Sequence, residues 1–229
     1  MNWIEELYKL EVEYNLLKLN GNKKTKYCQD SEEAYIKHIL KNIPEKHNFI
    51  VDIGADDGFH LSNSRYFIEK GYNSILIDER IQDNKDIKQH KIIKENVLSL
   101  LKTYGCPNNF DFLTIDIDGN DYWVIDELLS EFSPNLIIAE FNCFLAQNKC
   151  VTVAYNSNLS WTGDTYFGFT LDAGKKLAKK HGYTVIFQNN NMNLYMVKDK
   201  FLQDMEIPNV TYNQNFFFPI TNREDWVEV

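Results

Sequence analysis

Val51-Asp52-Ile53-Gly54-Ala55-Asp56-Asp57-Gly58 is the stretch on which the reading of this chain turns. Residues 48–52 form a short apolar run, two glycines follow at G-x-x-x-G spacing, and a helical pattern runs from about Leu61 to Lys70. A strand that ends in a glycine turn and feeds a helix lets a ligand approach bare backbone and meet free N–H groups. The spacing is not the G-x-G-x-x-G that cradles a pyrophosphate, and Asp52, Asp56 and Asp57 would repel one. Those carboxylates suit a cationic ligand that also carries hydroxyls. Asp78 lies 20 residues beyond Gly58 and ends the next apolar run. A carboxylate at that place can take both hydroxyls of a ribose. The plainer alternative is an ordinary turn with solvated acids; Asp78 tips the balance towards nucleoside binding.

Outward from the loop, apolar runs recur at residues 74–78, 91–95, 110–116 and 135–140, separated by helical stretches, one through Trp123, Ile125, Leu128 and Leu129. Strand, loop, helix, strand at this pitch predicts an α/β fold with a mostly parallel sheet. Continuous Ile/Leu/Val runs suit strands covered by helices on both faces. Residues 183–187 and 192–197 predict an antiparallel closing hairpin across Asn189-Asn190-Asn191. Ahead of the loop, one helix fills residues 1 to about 19 and ends at Gly21-Asn22. A second starts at the N-cap Asp30 or Ser31 and stops before Pro44. The expected organisation is a single domain over 1–229. It has an N-terminal helical cap (1–45), an α/β core (46–200) with an excursion at 142–167, and a C-terminal tail (201–229). The tail, with Phe216-Phe217-Phe218 and Trp226, is expected to pack on the body.

With 44% hydrophobic residues the chain has material for a core, and its formal charge of −9 argues against nucleic-acid partners, which need phosphate neutralisation. No apolar run reaches the roughly 18 residues of a membrane span. The acidic start is no secretory signal. Four cysteines without a CxxC pair read as reduced thiols, which places the protein in the cytoplasm.

The motifs resemble those of a known family. Asp52-Ile53-Gly54-Ala55-Asp56-Asp57-Gly58 is similar to the first motif of class I S-adenosylmethionine-dependent methyltransferases, D-x-G-x-G-x-G, with Asp56 at the central glycine. FkbM-type methyltransferases, which often read D-x-G-A-N-x-G, look most alike. The similarity runs from about Gln29 to Val197. It includes residues 29–33, Asp78, and Asp116-Ile117-Asp118-Gly119, where the FkbM pattern has D-V-E-G. The resemblance implies a Rossmann-like class I sheet with S-adenosylmethionine as cofactor. By it, Asp52, Gly54, Ala55, Asp56 and Gly58 line the methionine and ribose side. Asp78 holds the ribose, Asn96 and Val97 flank the adenine, and Asp116 faces the cofactor.

Asp116, Asp118 and Asp121 follow one strand and Glu140 ends the next, so these acids should meet at the carboxyl edge of the sheet, where such folds bind ligands. Methyl transfer to a hydroxyl needs a base for the alcohol proton. A buried carboxylate with a raised pKa can be that base, and several oxygens together can instead hold Mg²⁺ or Mn²⁺. Asp116, Asp118 and Glu140 are therefore candidates both for catalysis and for a metal; the plain alternative for Asp118 and Asp121 is helix capping. His60 could face the same place and ranks below the carboxylates. The remaining histidines look solvated. Asn142, two residues after Glu140, should point to the same side. Together with Tyr155, Trp161 and Tyr166 in the excursion it suits a sugar, away from the nucleoside. The expected activity is O-methyl transfer to a sugar hydroxyl of a surface glycan or its precursor, a small-molecule or glycan acceptor, with oligomeric state open. Two rivals are a metal-dependent glycosyltransferase, from the D-x-D of Asp116-Ile117-Asp118, and a non-catalytic binding subunit, from Asp56 in place of glycine.

Overall fold

The computed structural model describes residues 2–19, 26–80, 83–190, 192–214 and 220–229. Gly21-Asn22, Asn191 and Phe216-Phe217-Phe218, to which the sequence assigns a helix end, part of a turn and tail packing, lie outside the described residues. Seven strands form one sheet: β1 (Phe49–Ile53), β2 (Asn73–Asp78), β3 (Ile87–Gln89), β4 (Asn109–Ile115), β5 (Ser133–Glu140), β7 (Tyr183–Asn189) and β8 (Asn193–Lys198). Their order is β3-β2-β1-β4-β5-β8-β7. The first five are parallel, β8 runs antiparallel to β5, and β7 and β8 make the expected closing hairpin. This is a Rossmann-like, mostly parallel α/β sheet with an antiparallel closing hairpin, the fold class expected from the sequence.

Alternation along the strands divides the core. Ile50, Phe112, Leu136 and Ile138 face one side, with α1 (Trp3–Leu19), α2 (Glu32–Asn42) and α3 (Arg65–Glu69). Val51, Ile53, Leu113, Ile137 and Ala139 face the other, with α4 (Val97–Thr103), α5 (Asp121–Leu128) and α6 (Leu171–Lys180). Strand residues buried on both sides explain the unbroken apolar runs. Helix α1 buries Trp3, Ile4 and Leu7, and Tyr8, Leu10 and Tyr14 pack at the edge of the same core, while Val12, Leu16 and Leu19 are exposed. Among the described residues no helix is long and apolar enough to cross a membrane. The four cysteines are thiols, not disulfides.

Two expectations are corrected. The third strand is Ile87–Gln89, not residues 91–95. Ile87 pairs with Leu76 and packs on it, whereas residues 91–96 form a turn closed by the Asn96 side chain, which accepts from Ile93 N and donates to Lys91 O. Helix α3 starts at Arg65 and not near Leu61, because the Ser62 hydroxyl accepts from Ser64 N and Arg65 N and holds a turn there. Within the excursion, β6 (Val151–Val153) pairs antiparallel with β9 (Trp226–Glu228), so the tail packs on the body through Trp226 as expected.

Candidate active site

Strand order reverses between β1 and β4: β2 and β3 lie to one side and β5 to the other. In open α/β sheets, ligands bind at the carboxyl ends of the strands at this switch point. Gly54 and Asp116, the first residues beyond β1 and β4, touch there. Gly54 has φ +84°, and a Cβ on it would lie 1.7 Å from the Asp116 carbonyl oxygen. Only glycine lets the two strand ends close on each other. Asp56, between the two glycines of the loop, adopts φ 48°, a left-handed conformation that Asp tolerates better than most residues.

Two cavities open side by side along this edge and share Gly54, Arg80, Asp116 and Asp118. The first, of about 240 Å³, runs from β2 to the excursion, with Ile77, Ile92 and Leu159 as apolar walls and Asp78, Glu79 and Asn120 as polar ones. The second, of about 180 Å³, lies over β1, β4 and β5 and reaches Glu32 at the start of α2 and Asn193 on β8.

Asp78 is buried at the end of β2. Its Oδ2 accepts from Asp56 N at 2.8 Å, its Oδ1 from Arg80 N at 2.8 Å, and the Arg80 guanidinium closes on both oxygens at 3.0 and 3.2 Å. Burial pushes this carboxyl up, and the bonds from Arg80 and Asp56 outweigh it, leaving the group below its ordinary range. Arg80 also pairs with Asp56 at 3.2 Å.

At the junction of the cavities, one carboxylate oxygen from each of Asp116, Asp118 and Glu140 lies within 4.8 Å of the others. The sequence expectation that these three converge is met. Enclosure and the neighbouring charges of Asp118, Asp121 and Asp52 raise the Asp116 carboxyl. Glu140 is raised by burial and by Asp116, and its Oε2 is buried without a hydrogen-bond partner. Asp118 has φ 52° and is raised by burial against the opposing pull of Arg80. It is open to both cavities and caps nothing. Asp121 is the structural acid of the group: its oxygens accept from Ile117 N at 3.0 Å and Gly119 N at 2.9 Å, shaping the loop after β4. Asp52, on the floor of the second cavity, accepts from Ser64 Oγ at 2.5 Å, and burial raises it to about 7.

Other expected residues sort as follows. Ala55, Asp56 and His60 line the second cavity; Gly58 sits behind it with φ +74°. Asn96 and Val97 are not on either wall. The earlier end of β3 puts His90, Lys91 and Ile92 at the first cavity instead, and Val97 is in the core. His90 is not simply solvated, for it bonds the Tyr104 hydroxyl at 2.6 Å; His181 likewise bonds Asp126 at 2.7 Å.

The proposed sugar platform comes apart. Asn142 is fully buried and its amide donates to Thr165 O and Phe167 O, which ties down the excursion. The Tyr166 hydroxyl accepts from Ala154 N and donates to Asp225 O, while its ring packs at a tilt against Trp226, 4.8 Å between centroids. The Tyr155 hydroxyl donates to Glu95. Trp161 does reach the cleft, but over the first cavity and on the Asp78 side, because Lys91 holds Leu159 O at 3.0 Å and Asn120 holds Asn156 O at 2.8 Å. The excursion therefore roofs the first cavity through Leu159, Ser160 and Trp161. Sequence reasoning missed Arg80, two residues past Asp78, and gave no role to Glu32 or Asn63. Glu32 lies in residues 29–33, which the resemblance covers.

No family model matches the chain, and no curated protein is significantly similar to it. Among solved structures, 1,6-didemethyltoxoflavin-N1-methyltransferase of Burkholderia thailandensis, with bound 1,6-didemethyltoxoflavin and S-adenosylhomocysteine, is 13% identical, with a TM-score of 0.45 over 85% of this chain and 89% of that one. A candidate hemolysin from Lactococcus lactis gives 13% identity and 0.44 over 80% and 96%. Magnesium protoporphyrin IX methyltransferase from Synechocystis PCC 6803, with bound S-adenosylhomocysteine, gives 9% and 0.39 over 73% and 82%. Likeness at this level is a matter of general architecture and carries no weight for the activity.

Proposed function

We propose that this chain is an S-adenosylmethionine-dependent class I methyltransferase, FkbM-like in its loop motifs, that methylates a hydroxyl oxygen of a sugar in a glycan or its precursor. The observation that carries the proposal is the pair of cavities meeting at Gly54, Asp116 and Asp118 on the switch point of the sheet, with a buried carboxylate ending β2. The residues fit the cofactor. The cradle at Gly54 leaves no room for a side chain, and the apolar walls with Asp78, Glu79 and Asn120 suit a nucleoside. When bound, S-adenosylmethionine supplies an electrophilic methyl group on a sulfonium. Asp78 accepts the ribose hydroxyls by giving up bonds to Arg80, an exchange made cheap because the Arg80 side chain is 61% exposed. Trp161 and Leu159 exclude water above the nucleoside.

Asp116, Asp118 and Glu140 handle the acceptor proton. A carboxyl raised towards neutral pH is a better base for a hydroxyl than an ordinary one. The alternative use of the same oxygens is to hold Mg²⁺ or Mn²⁺, which would acidify the alcohol directly. A sugar acceptor is supported by the amides and hydroxyl of Gln29, Ser62, Asn63 and Asn193 on the second cavity. A cytoplasmic setting is supported by four cysteines that are thiols and not disulfides. The test is titration with S-adenosylhomocysteine: saturable binding, weakened by Asp78→Ala, is expected, and no binding would end the proposal.

A further inference from the structure

Six carboxylates line the second cavity: Glu32, Asp52, Asp56, Asp116, Asp118 and Glu140. Arg80 and His60 are the basic residues on the same wall, and Arg80 is spent on Asp78 and Asp56. A bound methyl donor of the proposed kind would bring one net positive charge, from a sulfonium and an ammonium against one carboxylate. One carboxylate oxygen from each of Asp116, Asp118 and Glu140 lies within 4.8 Å of the others, and like charges this close favour further positive charge among them. Two buried side-chain atoms of this wall have no hydrogen-bond partner, Glu140 Oε2 and Asn63 Oδ1. Both are acceptors. Both belong to the second cavity and not to the first, whereas Asp116 and Asp118 stand at the junction. Orphaned buried acceptors are rare and call for a donor from outside the chain.

A sugar hydroxyl would give such atoms a donor but no charge. An ammonium gives three donors, no acceptor and a positive charge. Resting on the methyltransferase reading, we infer that the acceptor is an amino alcohol or amino sugar whose protonated amine seats on Glu140 and Asn63, while its hydroxyl lies at Asp116 and Asp118. The amine acts as the handle that orients the hydroxyl, and one atom pair, N⁺–H···O⁻ at Glu140, distinguishes this acceptor from its neutral analogue.

The experiment uses the full chain in the presence of a chelator. Binding of S-adenosylhomocysteine is measured first. The loaded protein is then titrated with two matched pairs, D-glucosamine against D-glucose and ethanolamine against ethylene glycol. The expected result is at least a tenfold preference for the amine in each pair. Glu140→Gln, which replaces the acceptor by an amide, should abolish that preference while S-adenosylhomocysteine still binds, and Asn63→Ala should reduce it. Equal affinity within both pairs would overturn the inference, since it would mean that the donor's own ammonium, or nothing, answers the two orphan acceptors. An amine preference untouched by Glu140→Gln would overturn the seat. Failure of S-adenosylhomocysteine to bind would instead strike the methyltransferase reading, and the amine preference can still be read on the unloaded protein.

Discussion

Replacing Gly54 by alanine tests the contact on which the cleft is built. Two costs add. A non-glycine residue at φ +84° carries about 1–2 kcal/mol of backbone strain. The new Cβ would stand 1.7 Å from the Asp116 carbonyl oxygen, and real Cβ contacts start near 3.0 Å, so the ends of β1 and β4 must part by about 3.0 − 1.7 = 1.3 Å. A backbone oxygen cannot rotate away. Overpacking of this kind costs about 1–3 kcal/mol, and parting the strands endangers the Asp116 N to Ile53 O bond of 3.0 Å, worth about 1 kcal/mol. The sum is about 3–6 kcal/mol, a large share of the stability of an ordinary domain. Gly71→Ala is the control: its φ is +89°, nothing lies within 4 Å of its Cβ position, and only the strain of about 1–2 kcal/mol applies. Urea unfolding followed by tryptophan fluorescence reads both. Equal losses in the two variants would refute the close approach and with it the account of the cleft floor.

Asp78→Ala should weaken S-adenosylhomocysteine binding by about 1–3 kcal/mol, the size of a lost hydrogen bond to a charged group, measured by calorimetry; unchanged affinity would remove the ribose assignment. Trp161→Ala should also weaken that binding, contrary to the sequence-based expectation, because Trp161 lines the Asp78 cavity; a loss confined to acceptor use would restore the earlier placement. Asp118→Asn should cut turnover about 100-fold or more, as for loss of a general base, with the cofactor product still bound. Loss of activity in EDTA with recovery in Mg²⁺ or Mn²⁺ would make the carboxylates ligands, and near-normal turnover would remove Asp118 from the chemistry. Native Asp52 holds its proton up to about pH 7 and an unfolded Asp only to about pH 4. Between these the native state binds more protons, so its contribution to stability is greatest near pH 4 and falls as pH rises to 7. Asp52→Asn should flatten that part of a melting-temperature profile; an unaltered profile would count against the buried carboxyl.

The sheet was legible because its strands are buried on both faces and so read as unbroken apolar runs, and because Gly54 and Asp78 mark two strand ends by chemistry. Strand β3 was misplaced because three residues carry too little pattern; the more apolar run beside it, around Ile92 and Ile93, belongs to the turn and to the core under α4. The carboxylates at the junction could be found because parallel strands end at a common edge, so Asp116 and Glu140 had to come near each other. Asn142, Tyr155 and Tyr166 could not be sorted in advance. Polar and aromatic residues in a long connection bind a ligand or fasten the connection, and here Thr165 O, Glu95 and Ala154 N take them. Arg80 escaped notice because its role depends on a side chain folding back on Asp78, which no periodicity records.

The central claim is that the cavity ending at Asp78 takes the nucleoside of S-adenosylmethionine. Isothermal titration of the full chain with S-adenosylhomocysteine, and separately with a nucleotide sugar plus Mn²⁺, tests it most directly. The account predicts saturable one-to-one binding of S-adenosylhomocysteine that Asp78→Ala weakens, and none of the nucleotide sugar. Binding of the nucleotide sugar alone would contradict it and assign Asp116-Ile117-Asp118 to a metal-dependent glycosyltransferase.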